Sequence, residues 1–271
     1  MAQRYEIQAT GQGGRPYRVE LHDATYTGTT VTQLGAGDSF VDWVGGDADR
    51  VGDDPIWGRE ARLNVRTGED LTPLYGLRDR DVEVRIFDDS TGDALYKGFL
   101  LTDFLSDSPY RDTPRVELRA VDGLATLEGD SLQDLEYADP VRVSTLLSEI
   151  LGVLFASSLD VEIATEWYPS SGGKLGSGDC PLQNIKINPD NYRDERPSGT
   201  WWNLLDVLKD QLAAHGLTVR QARVDGTLVW AIHQRSAKEG GTLTTWRFAP
   251  DGALRSGQPV DRDVSLGVSV P

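Results

Sequence analysis

The sequence is poor in the residues that support redox chemistry and metal binding, and it has no long apolar run. Its 271 residues include one cysteine, one methionine and three histidines. The single thiol, Cys180, excludes an internal disulfide and leaves no cysteine cluster for structural zinc. No apolar run approaches the roughly 20 residues that span a bilayer, and the start MAQRYEIQATGQGG lacks the segments of a signal peptide. We therefore expect a globular protein without a membrane span, made in the cytoplasm.

Basic residues are outnumbered by acidic ones. The chain has 43 Asp and Glu against 27 Lys and Arg, a formal net charge of −16 and an isoelectric point near 4.5. A field of this sign repels phosphate backbones, and no local basic patch offsets it. The composition therefore predicts no specific binding of nucleic acid.

Recognisable catalytic motifs are also missing. The histidines (His22, His215 and His233) show no metal-ligand spacing, and Cys180 precedes a proline in a loop. There is no nucleophile elbow, P-loop or dinucleotide fingerprint. The Asp-rich stretch within residues 38–55 lacks the spacing and closing Glu of an EF-hand, which indicates a solvated loop rather than a calcium site. We expect no enzyme activity, no catalytic residue, no cofactor and no metal ligand.

What the chain does have, in its first 128 residues, is a series of short runs in which apolar and polar residues alternate. This is the pattern of half-buried β-strands. Seven or eight such strands, with no helical pattern before about residue 125, predict a barrel or sandwich that begins as a meander. The predicted strands are 5–9, 16–21, 24–34, 38–44, 59–66, 81–87, 95–105 and 116–121. Six polar residues are expected to point away from the core: Arg62, Asn64, Arg66, Asp81, Glu83 and Arg85.

The second half is of α+β type. Apolar residues at helical spacing predict amphipathic helices over 141–157 and 201–214, the second with a start signal at 198–200. Strands are predicted at 159–165, 217–224, 227–233 and 242–248, and Asp225-Gly226 predicts a hairpin between the middle two. Residues 168–198 are rich in Gly, Ser, Asn, Asp and Pro and predict a long loop. The resulting domains are 1–128, 129–249 and an extended tail, 250–271.

The stretch VELRAVDGLATLE, residues 116–128, joins the two halves. Its alternating pattern stops at Asp122-Gly123, a pair suited to a turn that needs positive φ. Leu124 and Leu127 then follow, and we expect them to plug an open end of the preceding sheet and fix the two domains at one angle. The predicted domain junction is therefore Asp122, Gly123, Leu124 and Leu127.

The seven tryptophans are spread over both halves of the chain. A sugar-binding groove would need several of them in one cleft, whereas this spread favours anchors of cores and interfaces. The candidate interface residues are Trp43, Trp57, Tyr168, Trp202 and Trp246.

The order of these parts resembles one protein family. A β domain ending in VELRAVDGLATLEG is followed by a helix, VSTLLSEILGVL, and then by TWWNLLDVLKDQLAAHGLTVRQARVDGTLVWAIHQ, a helix, glycine and hairpin. Over residues 1–235 this is similar to the baseplate or tail hub proteins of tailed bacteriophages and contractile injection systems. The resemblance implies a tail-tube-like β-barrel and a homotrimeric ring in the virion tail tip. Such a ring joins the tail tube to a spike or fibre and lines the channel for DNA ejection.

Two other interpretations stay open. A distal tail protein would share the early β domain but form a hexameric ring. A carbohydrate-binding or carbohydrate-active tail protein would need exposed tryptophans and carboxylates converging in one cleft. In the hub interpretation, residues 38–55 and 168–198 are expected to contact neighbouring subunits or other tail proteins, such as the tube, distal tail protein, spike or fibre.

Overall fold

The structure, a computed structural model, describes residues 1–11, 14–45, 55–102, 106–107, 115–165, 179–194, 199–234 and 242–263. Backbone contacts divide the chain into two compact units that interleave along the sequence. The first comprises Met1–Gly45, Gly58–Gly123 and Gln221–Leu228, and the second Gly46–Trp57, Leu124–Arg220 and Val229–Pro271. The domain boundaries at 128 and 249 that we predict from the sequence would make each domain one continuous segment. These boundaries stay a prediction.

A closed barrel of seven strands forms the first unit. The strands up to residue 121 are β1 (Ala2–Thr10), β2 (Pro16–Asp23), β3 (Thr32–Gly45), β4 (Arg59–Arg66), β5 (Val82–Asp88), β6 (Ala94–Leu100), β7 (Ser106–Asp107) and β8 (Arg115–Val121). Around the barrel the order is β4-β3-β1-β2-β5-β6-β8, and β8 pairs again with β4. β1 and β3 are parallel, and the other neighbours are antiparallel. The predicted mainly β class, with a barrel first, is confirmed.

Side chains fill the inside of the barrel. Along β4, Ala61, Leu63 and Val65 are buried, and the residues between them are only partly buried. The same alternation in the other strands builds one core, whose largest members include Ile7, Leu21, Leu63, Ile86, Tyr96 and Leu118. The barrel is therefore a packed core and not a pore. Arg62, Asn64, Arg66 and Arg85 lie on the outer face, as predicted.

Two details of the barrel differ from the sequence prediction. β3 is one strand of 14 residues where we predict two strands at 24–34 and 38–44, and its register against β4 shifts between Ala36 and Val41. Gly35 sits in this strand because a Cβ there would lie 2.5 Å from the carbonyl oxygen of Arg66. The predicted meander is also wrong beyond its first hairpin, since β3 pairs with β1 and β2 pairs with β5.

Both α-helices of the described ranges lie in the second half of the chain. α1 (Val143–Gly152) and α2 (Leu204–Ala214) each bury one apolar face, and both predicted helices are confirmed with later starts. α2 begins where the Asn203 side chain accepts a hydrogen bond from the backbone nitrogen of Asp206 at 2.8 Å. This N-cap replaces the predicted start at 198–200. Within the described ranges, neither helix is long and apolar enough to cross a membrane.

Seven further strands accompany the helices. They are β9 (Val141–Arg142), β10 (Val161–Thr165), β11 (Lys186–Ile187), β12 (Leu217–Val224), β13 (Thr227–Gln234), β14 (Thr242–Phe248) and β15 (Val260–Asp263). Five of them form a sheet in the order β12-β13-β10-β14-β15, and β9 pairs with β11. The predicted hairpin turn is confirmed: Asp225 and Gly226 have φ of 50° and 78°, as a two-residue turn requires. β15 lies within the predicted extended tail.

The predicted long loop is not structureless where the structure describes it. Residues 179–194 contain the strand β11 and two 3-10 turns, Pro181–Gln183 and Pro189–Tyr192. Pro189 and Tyr192 are buried. This part of the segment is therefore a folded portion of the second unit, whereas residues 166–178 and 195–198 lie outside the described ranges.

Candidate functional site

The outer face of the barrel carries rows of paired charges that run across neighbouring strands. Glu20 on β2 stands beside Arg85 on β5, which stands beside Lys97 on β6. Arg85 Nε lies 2.6 Å and Lys97 Nζ 3.3 Å from Glu83 Oε1, and His22 Nε2 lies 2.9 Å from Glu20 Oε2. We call these five residues, Glu20, His22, Glu83, Arg85 and Lys97, the charged rows.

Three of the charged rows' side chains, Glu20, His22 and Glu83, are buried. Glu83 is 4% exposed, and although burial opposes ionisation, the bonds to Arg85 and Lys97 lower its pKa. Burial lowers the pKa of Lys97, and burial together with Arg85 lowers the pKa of His22 to about 4. At neutral pH the rows therefore hold an ionised carboxylate, cations and a neutral imidazole in fixed positions, an arrangement suited to orienting a contact surface.

Two of the candidate interface tryptophans are half-buried and lie against arginines. The Trp43 ring packs edge-on to Tyr96, with ring centroids 5.5 Å apart, and the Arg59 guanidinium lies 4.4 Å from the Trp43 ring centroid. Trp57 donates its backbone N–H to the carbonyl of Val219 at 3.0 Å. Trp43 thus packs at the edge of the barrel core. The Trp57 side chain is partly exposed.

Of the other candidate interface residues, Trp202 and Trp246 lie in two different environments. Trp202 is 40% exposed and packs against Tyr192, with ring centroids 5.4 Å apart. Trp246, at 3% exposure, is instead a core residue of the second unit, because it pairs with Ile163 in the interior of the sheet. It presents no surface to a partner, which corrects its selection as an interface residue. Tyr168 lies outside the described residues.

Asp122 and Gly123 of the predicted junction close the end of the barrel. The Asp122 carboxylate accepts a hydrogen bond from the backbone nitrogen of Arg59 at 2.8 Å, and the Asp122 nitrogen donates to the Arg59 carbonyl at 3.1 Å. These two hydrogen bonds connect the end of β8 to the start of β4. Gly123 has φ of +87°, which favours glycine over any residue with a Cβ.

Leu124 and Leu127 are buried, and their expected role as a plug at the end of the barrel stays a prediction. They lie on a 3-10 segment, Leu124–Gly129, that packs on α2, and both are at most 1% exposed. By backbone contacts they belong to the second unit. The junction stretch therefore contains the last residues of one core and the first of the next, with the change at Gly123.

A polar cleft of about 380 Å³ opens in the second unit. Its shape follows from an extended segment around Trp202, whose backbone nitrogen bonds to the Tyr192 carbonyl at 2.9 Å and whose carbonyl accepts from the Leu132 nitrogen at 3.0 Å. Because neighbouring residues in an extended segment point to opposite sides, Trp201 faces the cleft and Trp202 does not. The lining residues are Glu128, Gly129, Asp130, Ser131, Gln133, Gly199, Thr200, Trp201 and Asn203.

A second cluster in this unit combines cationic and aromatic side chains. The Arg220 guanidinium on β12 lies 5.9 Å from the Trp57 ring centroid. Burial lowers the pKa of Arg220, and burial together with the nearby Arg220 charge lowers the pKa of His233 to about 4. Within the described ranges, His233 Nε2 is buried without a hydrogen-bond partner.

The residues with catalytic potential are not brought together. Cys180 is fully buried, and burial raises the pKa of its thiol to about 12, so it is a poor nucleophile at neutral pH. In the part of the chain that the structure describes, no group of three or more His, Cys, Asp or Glu side chains could hold a metal ion. The Asp-rich residues 46–54 lie outside that part.

Two residues that the sequence prediction omits are prominent in the structure, Arg220 and Trp201. Arg220 alternates with apolar residues in a strand, a pattern that normally indicates a solvated side chain. Trp201 adjoins Trp202, and only the capping pair Asn203 and Asp206, which fixes where α2 starts, would have shown that Trp201 precedes the helix.

Comparisons with known proteins show a distant structural likeness. No protein-family model matches the chain, and no curated protein matches it. Among solved structures, the 43 kDa tail protein of prophage MuSo2 from Shewanella oneidensis is similar at 15% identity with a TM-score of 0.34. The matched region covers 68% of this chain and 49% of that protein, so this chain spans about half of its length.

Proposed function

We propose that this chain is a structural, non-enzymatic protein of a phage tail tip. In this proposal it forms a hub ring that joins the tail tube to a spike or fibre and encloses the DNA channel. The observation that carries the proposal is a closed β-barrel with a polar outer face, followed along the chain by two helices and a hairpin. That order is the one on which the sequence resemblance to tail hubs depends.

The packed barrel restricts how such a protein could enclose DNA. Buried residues such as Ile7, Leu63 and Leu118 occupy the barrel interior and leave no passage through it. A channel must therefore lie between several copies of the chain, which requires a closed ring. The net charge of −16 supports this role, since an acidic wall lets DNA pass without binding it.

The oligomeric state tests the proposal most directly. Purified protein at high concentration, alone or with tail-tube protein, should give a closed ring in light scattering and negative-stain images. Three copies of the 29.7 kDa chain are expected. Six copies would instead favour the distal tail alternative, and a protein that stays monomeric with every tail component would contradict both.

The polar cleft supports carbohydrate binding as a second candidate function. An aromatic ring flanked by carboxylates and an amide is a typical sugar-binding surface, and Trp201, Glu128, Asp130 and Gln133 provide these groups. Glycan-array binding should then be lost in Trp201→Ala and kept in Trp202→Ala, because Trp202 lies outside the cleft lining. No binding by the unaltered protein, or equal loss in both variants, would exclude this cleft as the sugar site.

A further inference from the structure

Arg220 differs from the arginines that form ion pairs. Many arginines in the described ranges contact a carboxylate: Arg4, Arg15, Arg18, Arg62, Arg85, Arg119, Arg223, Arg247 and Arg255. Arg220 has no such contact within the described residues, and burial alone shifts its pKa. Its guanidinium lies 5.9 Å from the centroid of the Trp57 ring.

The backbone fixes Trp57 beside this arginine. Val219 donates its N–H to the Pro55 carbonyl at 2.9 Å, and Trp57 donates to the Val219 carbonyl at 3.0 Å. Residues 55–57 therefore run alongside β12, bridged in parallel at Ile56 and Val219. The aromatic ring removes water from one side of the guanidinium, and this strengthens any charge interaction made on the remaining sides.

His233 adds a polar atom, Nε2, that has no hydrogen-bond partner in the part of the chain that the structure describes. It lies on β13 and is close enough to Arg220 for the arginine charge to act on it. Its Nε2 atom is buried and makes no hydrogen bond with the described residues, and its neighbour on β10 is Ala164. A buried polar atom left in this way destabilises the protein. Two neighbouring groups, one cationic and one able to donate, thus lack an acceptor among the described residues.

We infer that Arg220, His233 and Trp57 form a binding site for a carboxylate side chain contributed by a second copy of this chain. The guanidinium offers a planar pair of donors that matches a carboxylate, and a protonated His233 Nε2 adds a third. A chain with 43 acidic residues presents carboxylates over much of its surface, so a second copy is a complementary partner.

This inference rests on the proposed ring, and it identifies one contact between its subunits. Sedimentation velocity should show that Arg220→Met weakens self-association at least about tenfold, as is found when one member of a buried charge pair is truncated. Arg255→Met is the matched control, because Arg255 is an exposed arginine already paired with Asp160. It should leave self-association unchanged.

The stability of the dilute monomer separates this inference from a purely structural role. If the acceptor comes from another chain, Arg220→Met removes a buried charge that has no partner in the monomer, so the monomer should be equally stable or more stable. If a carboxylate of the same chain fills the site, the variant should destabilise the monomer. In that case Asp53→Asn or Asp54→Asn, which precede Pro55, should destabilise it as well, and the inference would be overturned.

Cross-linking can identify the partner carboxylate. Arg220→Lys introduces a primary amine, and a carbodiimide should join it to the bound carboxylate. In a mixture of light and 15N-labelled chains, the cross-linked peptides should combine the two isotopes. If the unaltered protein assembles and Arg220→Met assembles equally well, only this inference fails. If the unaltered protein never assembles, the proposed ring fails with it.

Discussion

Replacement of Asp122 by alanine should lower the stability of the barrel. The Asp122 carboxylate is 3% exposed and accepts the Arg59 backbone N–H at 2.8 Å. A hydrogen bond to a charged group contributes about 1.5–3 kcal/mol, and its loss leaves the Arg59 N–H buried without this acceptor. We therefore expect Asp122→Ala to lower the free energy of unfolding by about 2–3 kcal/mol. With a urea m-value of about 2 kcal/mol/M, the unfolding midpoint should fall by roughly 1 M.

Two further variants make this prediction specific. Asp122→Asn keeps an oxygen acceptor of nearly the same shape and should cost only about 1 kcal/mol. Asp89→Ala removes a more exposed barrel carboxylate that pairs with Arg18 at 3.1 Å, and it should cost less than about 1 kcal/mol. Hydrogen exchange of peptides from β4 and β8 should locate the loss. Equal destabilisation by Asp122→Asn and Asp122→Ala, or an unchanged midpoint in Asp122→Ala, would refute the reasoning.

Three other predictions concern buried residues. The pKa of His233 is about 4 in the folded chain against an ordinary 6.5, so stability should be complete above pH 6.5 and decline as pH falls toward 4. Relative to His233→Gln, the loss should reach at most about 3 kcal/mol, measured by urea unfolding at several pH values. Cys180 should resist iodoacetamide at pH 8 until denaturant is added, because burial raises its pKa to about 12; fast native alkylation would contradict its burial. Leu124→Asp should abolish folding of the second unit in circular dichroism and ring assembly in light scattering, whereas Leu124→Met should retain both.

The sequence predicts elements whose signals are local. The Asp225-Gly226 hairpin and the strand over Arg59–Arg66 each depend on residues within a few positions, and the structure contains them at the predicted places. Local signals fail where a distant partner decides the structure. Residues 141–142 carry a helical pattern, yet they form β9 because Lys186–Ile187 pairs with them. Likewise, Gly35 suggests a turn in the sequence. In the structure it lies within β3, where the carbonyl oxygen of Arg66 leaves no room for a Cβ.

The candidate site was less predictable than the fold. The exposure of a tryptophan depends on which neighbouring residues cover it. Trp246 and Trp202 therefore look alike in the sequence, but Trp246 is 3% exposed and Trp202 is 40% exposed. Arg220 stands out because none of the described residues pairs a carboxylate with it, and the absence of a partner has no signal in the sequence. By contrast, Asp122 and Gly123 could be identified, because a strand that ends in Asp-Gly needs a turn with positive φ.

The charged rows help to decide which surface of the barrel contacts protein and which faces DNA in the proposed ring. A surface past which DNA slides should keep its acidic groups unneutralised, so that phosphates are repelled. In the charged rows, Glu83 is instead neutralised by Arg85 and Lys97 and is almost fully shielded from water. Fixed and internally paired charges provide register for a protein contact but little net field. The charged rows therefore suit a subunit contact, and the DNA-facing wall is expected on acidic surface elsewhere in the chain.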